Sequence, residues 1–156
     1  MKNDELRAMQ NMPLEELWPL IEEVFALGGR FRLFPRGTSM LPLIRPNVDS
    51  VLIEPPHQFA RGDILLYRRK NGQFVLHRLI RITDDGLTMC GDNQYYLEKG
   101  IPTEAVLARV CGIYFEEEYL PIDAPRLRFY AKRRAFSRPF RHLKAGLANR
   151  LPFKKA

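Results

Sequence analysis

The chain has 156 residues, 46% of them hydrophobic, which predicts one domain with a real core. No apolar run approaches the roughly 20 residues that span a bilayer, and the start MKNDELRAMQ lacks the apolar core of a secretory signal. Charge is uneven. Residues 119–156 carry eleven Lys or Arg and one acid, a net charge of +10. Residues 1–118 carry fourteen Lys or Arg and seventeen acids, a net charge of −3. A basic tail favours an anionic partner.

The first predicted element is an amphipathic helix within residues 1–30. Its apolar residues recur at spacings of three and four, as on one face of a helix: Leu14, Leu17, Trp18, Ile21, Val24 and Phe25. Pro13 suits the first turn, and Gly28 with Gly29 ends the helix. Pro19 is expected to bend or restart it, because proline cannot donate to the preceding turn.

Residues 31–118 predict a mainly β body. Short segments rich in Val, Ile, Leu and aromatics are separated by turn signals such as Asn71-Gly72, which is typical of small antiparallel sheets. The predicted strands are 31–34, 50–54, 63–68, 74–82, 87–90 and 106–115.

Residues 119–156 predict a basic helical tail, as two short helices broken around Pro139. Phe136, Phe140, Leu143, Leu147 and Leu151 follow one another at spacings of three and four, which predicts one apolar stripe. Such a stripe among basic residues is typical of helices that lie on anionic membranes. It could equally pack against the β body as a structural clasp.

Three residues could form a hydrolytic site. Ser39 lies in the stretch PRGTSMLPLIRP, His77 interrupts the apolar strand FVLHRLIRI, and Asp92 follows a strand in CGDNQ. Taken singly, His77 is more simply a core histidine and Asp92 a turn residue. Together they match the logic in which an acid orients a histidine that deprotonates a serine.

Five segments in order resemble the conserved boxes of signal peptidase I and its relatives, the S24/S26 peptidases. They are GTSMLPLIRP, RGDILLYRR, FVLHRLIRI, CGDNQ and VLARVCGIY, over about residues 31–115. The resemblance implies a β body of the signal-peptidase and SOS-repressor type. It also implies Ser39 as nucleophile, His77 as base in the place of the bacterial lysine, and Asp92 as the acid of the Gly-Asp-Asn box. This pattern is similar to the archaeal and endoplasmic-reticulum enzymes.

Two positions depart from the family pattern. A second aspartate usually follows Gly-Asp-Asn in the Ser-His-Asp enzymes, and here only Glu98 is available. Gly37 stands where many bacterial enzymes carry a hydroxyl that helps to hold the oxyanion. The oxyanion would then rely on the Ser39 backbone and Thr38, with Met40 and Pro42 completing the substrate-binding box. Losing one oxyanion donor can cost about 10²–10³ in rate, so a slow enzyme is expected.

The resulting hypothesis is a serine endopeptidase that forms an acyl-enzyme on Ser39 and binds its substrate as an extended strand. We expect activity to rise as His77 loses its proton, near the ordinary histidine pKa of about 6.5. The main alternative is a catalytically weak peptide-binding module in the maturation of small peptides.

Cofactors, partners and location follow from the same residues. Zinc-site spacings are missing, and no metal or organic cofactor is implied. Nucleic acid is a weaker expectation, because residues 31–118 lack an aromatic and basic stripe. We expect a cytoplasmic protein that docks peripherally on the inner face of the membrane through its tail.

Overall fold

The computed structural model describes the backbone of residues 8–148 and the side chains up to Arg138 except that of Phe136. It is mainly β, as predicted, and the described residues contain eight strands and two long α-helices. The strands are β1 (Phe31–Leu33), β2 (Ser50–Glu54), β3 (Ile64–Arg68), β4 (Phe74–Thr83), β5 (Gly86–Cys90), β6 (Glu98–Ile101), β7 (Val106–Phe115) and β8 (Glu118–Pro121). The helices are α1 (Leu14–Ala26) and α2 (Pro125–Ala148).

Helix α1 has the predicted apolar face. Leu17 and Ile21 are buried, and Pro13 occupies the N-cap position. The chain leaves the helix at Gly28, whose φ of +74° favours glycine, and the Gly29 N–H bonds back to the Val24 carbonyl. The helix runs through Pro19 without a break. Contacts of the apolar face outweigh the one backbone hydrogen bond that proline removes.

All strand pairs are antiparallel, in the order β1-β2-β7-β3-β4-β5-β6, and β8 also pairs with β7. The larger core lies between the sheet, α1 and the β1–β2 loop. A smaller core lies around Leu65, Tyr67, Leu79 and Met89. The strand residues of both cores come from alternate positions, as expected for pleated strands.

Two strands were missed by the sequence interpretation. β6 has the sequence EKGI and β8 has EYLP, and neither alternates apolar and polar residues. β6 is held by pairing with β5, and β8 by pairing with the end of β7. Short edge strands of this kind depend on their neighbour rather than on their own pattern. β8 also carries the sheet past residue 118, where the predicted β domain ends.

Helix α2 is a single helix through Pro139, so the prediction of two helices was wrong. Its first turns pack on the body: Leu127 is buried in the larger core, and Tyr130 packs against it. The predicted apolar stripe stays a prediction, because its side chains lie outside the described part of the chain. They are those of Phe136, Phe140, Leu143, Leu147 and Leu151. Within residues 8–148, no helix is both long and apolar enough to cross a membrane.

Candidate active site

Ser39 lies in the loop that joins β1 to β2. This loop is anchored directly after the serine, because Met40, Leu43 and Ile44 are buried in the larger core. The Ile44 N–H bonds to the Met40 carbonyl, which closes a helical turn directly after Ser39. Ser39 itself is partly exposed. The local sequence therefore holds a serine at the surface on a backbone that its apolar neighbours immobilise.

The turn of residues 91–93 fastens the serine from the other side. The Asn93 N–H donates to the Ser39 carbonyl at 2.7 Å, and the Asn93 side chain donates to the Thr38 carbonyl at 3.2 Å. Gly91 allows this approach, because a Cβ there would lie 2.6 Å from the Ser39 carbonyl oxygen. The Ser-Met-x-Pro segment and the Gly-Asp-Asn segment thus form one unit.

Ser39 and His77 line the same cavity, which has a volume of about 480 Å³. His77 lies on β4 and is 2% exposed. Much of the remaining wall is apolar, with Met40, Leu66 and Leu76 among its residues. Within the described residues, the Ser39 hydroxyl makes no hydrogen bond with the imidazole. Catalytic pairs are often loose until substrate binds.

The imidazole is oriented by a chain of polar side chains. Tyr67 lies opposite Val75, so it is the diagonal neighbour of His77 on the same face. The Tyr67 hydroxyl lies 3.2 Å from His77 Nδ1 and donates to Glu98 at 2.8 Å. Arg69 makes two hydrogen bonds to the same carboxylate, at 2.8 and 2.7 Å. These bonds join β3, β4 and β6 beside the cavity.

The proton arrangement of this chain follows from its donors and acceptors. Hydrogen bonding from Arg69 lowers the pKa of Glu98, so the carboxylate accepts only. Burial and the bond to Glu98 raise the pKa of Tyr67, so the phenol keeps its proton and directs it to Glu98. Its oxygen is then left to accept from His77, which places the imidazole proton on Nδ1. Nε2 keeps the lone pair that a general base needs.

Burial lowers the pKa of His77 to about 4. The charges of Glu98 and Asp92 oppose this shift, and that of Arg69 adds to it. Because the fall caused by burial is larger, the imidazole is neutral near pH 7 and competent to accept a proton.

Asp92 is buried against Arg78. Its carboxylate accepts two hydrogen bonds from the Arg78 guanidinium, at 2.8 and 2.7 Å. Its carbonyl accepts two more from Arg134 of α2. Asp92 therefore forms an ion pair with Arg78. Its negative charge also acts on the His77 imidazole and raises the pKa of that ring. Its predicted role as the acid of the triad stays a prediction.

The other predicted site residues surround the serine. Met40 is buried and lines the cavity, whereas Thr38 and Pro42 are exposed on the same loop. The Leu41–Pro42 peptide bond is cis. Their predicted roles in oxyanion and substrate binding stay predictions.

Sequence reasoning missed Tyr67 and Arg69, and named Glu98 only as a departure. Tyr67 sits in the strand ILLYR, where a tyrosine is an ordinary core residue, so no local signal marked it.

As for metals, no group of three His, Cys, Asp or Glu side chains within the described part of the chain could hold an ion.

Comparison with known proteins identifies the family of this chain. No curated protein is significantly similar in sequence to this chain. The family model described as Peptidase S24-like matches residues 6–113, which is more than half of the chain and includes α1, the serine loop, His77 and the Gly-Asp-Asn turn. This chain therefore belongs to the S24-like peptidase family, a serine peptidase type, as its sequence boxes predicted.

Proposed function

We propose that this protein is a serine endopeptidase that cleaves a peptide bound as an extended strand. The observation that carries the proposal is the shared cavity of Ser39 and His77, with the Nδ1 side of the imidazole already occupied by Tyr67. A hydrolase of this type needs a base whose free nitrogen faces the nucleophile. Orientation through Tyr67 and Glu98 leaves His77 Nε2 for that task.

In the proposed reaction the Ser39 oxygen attacks the scissile carbonyl carbon while His77 Nε2 takes the serine proton. The tetrahedral intermediate collapses, the C–N bond breaks, and the imidazolium returns its proton to the leaving amine. Water then hydrolyses the acyl-enzyme with His77 again as base. The Ser39 backbone N–H has no acceptor among the described residues, which leaves it available to the oxyanion.

Strand pairing supports the proposed mode of substrate binding. The first half of β4, Phe74–His77, pairs with β3 on one side, whereas β5 pairs with β4 only from Arg78 onward. A peptide could therefore add to the open edge of β4 beside His77, with main-chain hydrogen bonds supplying affinity. Apolar side chains of the cavity wall would favour small or apolar residues next to the cleaved bond.

A fluorophosphonate probe tests the proposal. Such a probe should react with Ser39, as identified by peptide mapping, and labelling should vanish in Ser39→Ala. Ser137→Ala is the matched control, because its hydroxyl bonds to the Arg134 carbonyl on α2, away from the cavity. Labelling that survives Ser39→Ala unchanged would refute the assignment.

The alternative is a peptide-binding module with weak or lost hydrolysis. The absence of a hydrogen bond between Ser39 and His77 among the described residues favours it, as does the glycine at position 37. A chain that binds extended peptides yet shows no probe reaction and no cleavage would support this alternative.

A further inference from the structure

A second cavity, of about 550 Å³, lies between α2 and the sheet. Arg78 lines it, whereas the preceding residue His77 lines the first cavity, as expected from alternation along β4. The rest of its wall comes from the β1–β2 loop, from the segment before β3, from the neighbouring residues of β4, from β7, from the segment after β8 and from one face of α2.

Small residues of α2 explain why space remains there. Leu127 is buried and anchors the helix to the larger core. One and two turns later the same face carries Ala131 and Ala135, which line the cavity. Alanine is too short to fill the gap to the sheet, so the helix is held at one end and leaves a cavity further along.

The cavity is strongly cationic. Six basic side chains line it against two acids, Asp63 and Asp123. Two of the six are already neutralised, since Arg78 bonds to Asp92 and Arg109 bonds to Asp63 and Glu54. The other four have no ion-pair partner among the described residues: Arg61, Arg128, Lys132 and Arg138.

Apolar side chains form the rest of the wall, with Leu43, Ile80, Ile122 and Leu127 among them. A cavity that combines unneutralised cations with apolar walls suits a ligand that has an anionic group on an apolar body. A bare anion would leave the apolar wall uncovered. Nucleic acid would bring few apolar groups to cover that wall. Arg61, Arg128 and Lys132 are exposed, so the cavity can be reached from a surface.

We propose that this cavity binds the phosphate-bearing headgroup of an anionic phospholipid and so attaches the protein to an anionic membrane surface. Arg128 and Lys132 donate to the phosphate oxygens, while the glycerol and the start of the acyl chains contact the apolar wall. The expected membrane docking of the tail thereby gains a defined site in the described part of α2. Lipid binding here requires no peptidase activity.

The test compares two variants of the full-length protein that lose the same charge from the same helix. One is Arg128→Gln/Lys132→Gln, which alters the cavity. The matched control is Arg126→Gln/Arg133→Gln, whose side chains are exposed on α2 and do not line the cavity. Truncation before Pro125 is avoided because it would remove the buried Leu127. Binding to vesicles with and without phosphatidylglycerol is measured by co-sedimentation at fixed salt.

The cavity variant should bind phosphatidylglycerol vesicles at least about tenfold more weakly than wild type, because it loses direct charged hydrogen bonds. The control variant should lose only a few-fold in affinity for these vesicles, which is about the effect of removing screened surface charge. Equal losses in both variants would overturn the site, as would no binding by the wild type. Circular dichroism and thermal melting check that both variants fold.

Two soluble probes then distinguish a lipid from a simple anion. Dihexanoyl phosphatidylglycerol should bind the wild type in calorimetry and bind the cavity variant much less. Inorganic phosphate should bind far more weakly than the short-chain lipid, because it leaves the apolar wall exposed to water. Equal affinities for the two probes would overturn the lipid assignment and leave a phosphate site.

Discussion

The Tyr67 hydroxyl lies 3.2 Å from Nδ1 of His77, in the place where hydrolytic triads usually have a carboxylate. The carboxylate is one group further away, because Tyr67 donates to Glu98 at 2.8 Å. A neutral hydroxyl fixes the tautomer as a carboxylate would, but it stabilises the imidazolium only through the charge of Glu98 behind it. This arrangement fits a slow enzyme.

The first prediction concerns Tyr67. Tyr67→Phe should lower kcat/KM by about 10- to 100-fold, because it removes one buried hydrogen bond and leaves His77 Nδ1 without its acceptor. The rate of fluorophosphonate labelling provides the measurement if no peptide substrate is known. Tyr96→Phe is the matched control, since Tyr96 also lines the cavity but is exposed. Equal effects of the two changes would count against the Tyr67 relay.

Glu98→Gln and Asp92→Asn should separate the two acids. Glu98→Gln should slow labelling of Ser39, because the charge that faces His77 through Tyr67 is lost. Asp92→Asn should mainly destabilise the fold, by about 3–5 kcal/mol, because Arg78 becomes a buried charge without its partner. Chemical denaturation measures the second effect. A stable but inactive Asp92→Asn variant would instead favour Asp92 as the acid of the triad.

Ser39→Ala and His77→Ala should each abolish turnover almost equally. The double variant should be little worse than either, since residues that act as one unit are not additive. Steady-state rates of the three variants are the measurement. Substantial activity in His77→Ala would mean that another group serves as base.

The pH dependence should reflect the buried state of His77. Because burial lowers its pKa to about 4, kcat/KM should rise between about pH 3 and 5 and stay level from pH 6 to 8. The expectation that activity rises near pH 6.5 assumed the ordinary pKa of an unburied histidine. A profile centred near pH 6.5 would show that the imidazole is more hydrated than the structure indicates.

The same shift affects stability. Between about pH 6.5 and 4 the unfolded chain binds a proton at His77 that the folded chain does not, so the free energy of unfolding falls as pH falls, by up to about 3 kcal/mol. Because the pKa of Glu98 is also lowered, the free energy of unfolding falls further as that carboxylate is protonated at still lower pH. Melting temperatures measured across pH 4–8 check the sign.

Gly91→Ala should displace Ser39. The added Cβ would lie 2.6 Å from the Ser39 carbonyl oxygen and 2.9 Å from the Gln94 side chain, so the turn and the serine loop must move apart. Misplacement by about 1 Å can cost roughly 100-fold in rate. Gly37→Ala is the matched control, because a Cβ there meets nothing within 4 Å. Equal activity of the two variants would show that the contact does not position the nucleophile.

The sequence by itself determined the mainly β class, α1, six of the eight strands and the family, since periodicity, turn residues and ordered boxes are local properties of the chain. It also indicated Ser39 and His77, because a histidine inside an apolar strand is unusual. Only the tertiary structure decided the edge strands β6 and β8, the continuity of α2, and the contacts of Tyr67 with His77 and Glu98. Tyr67, His77 and Glu98 are distant in sequence and meet only through strand register, so no local pattern could pair them. The same holds for the cavity beneath α2, whose basic lining comes from four separate segments brought together by folding.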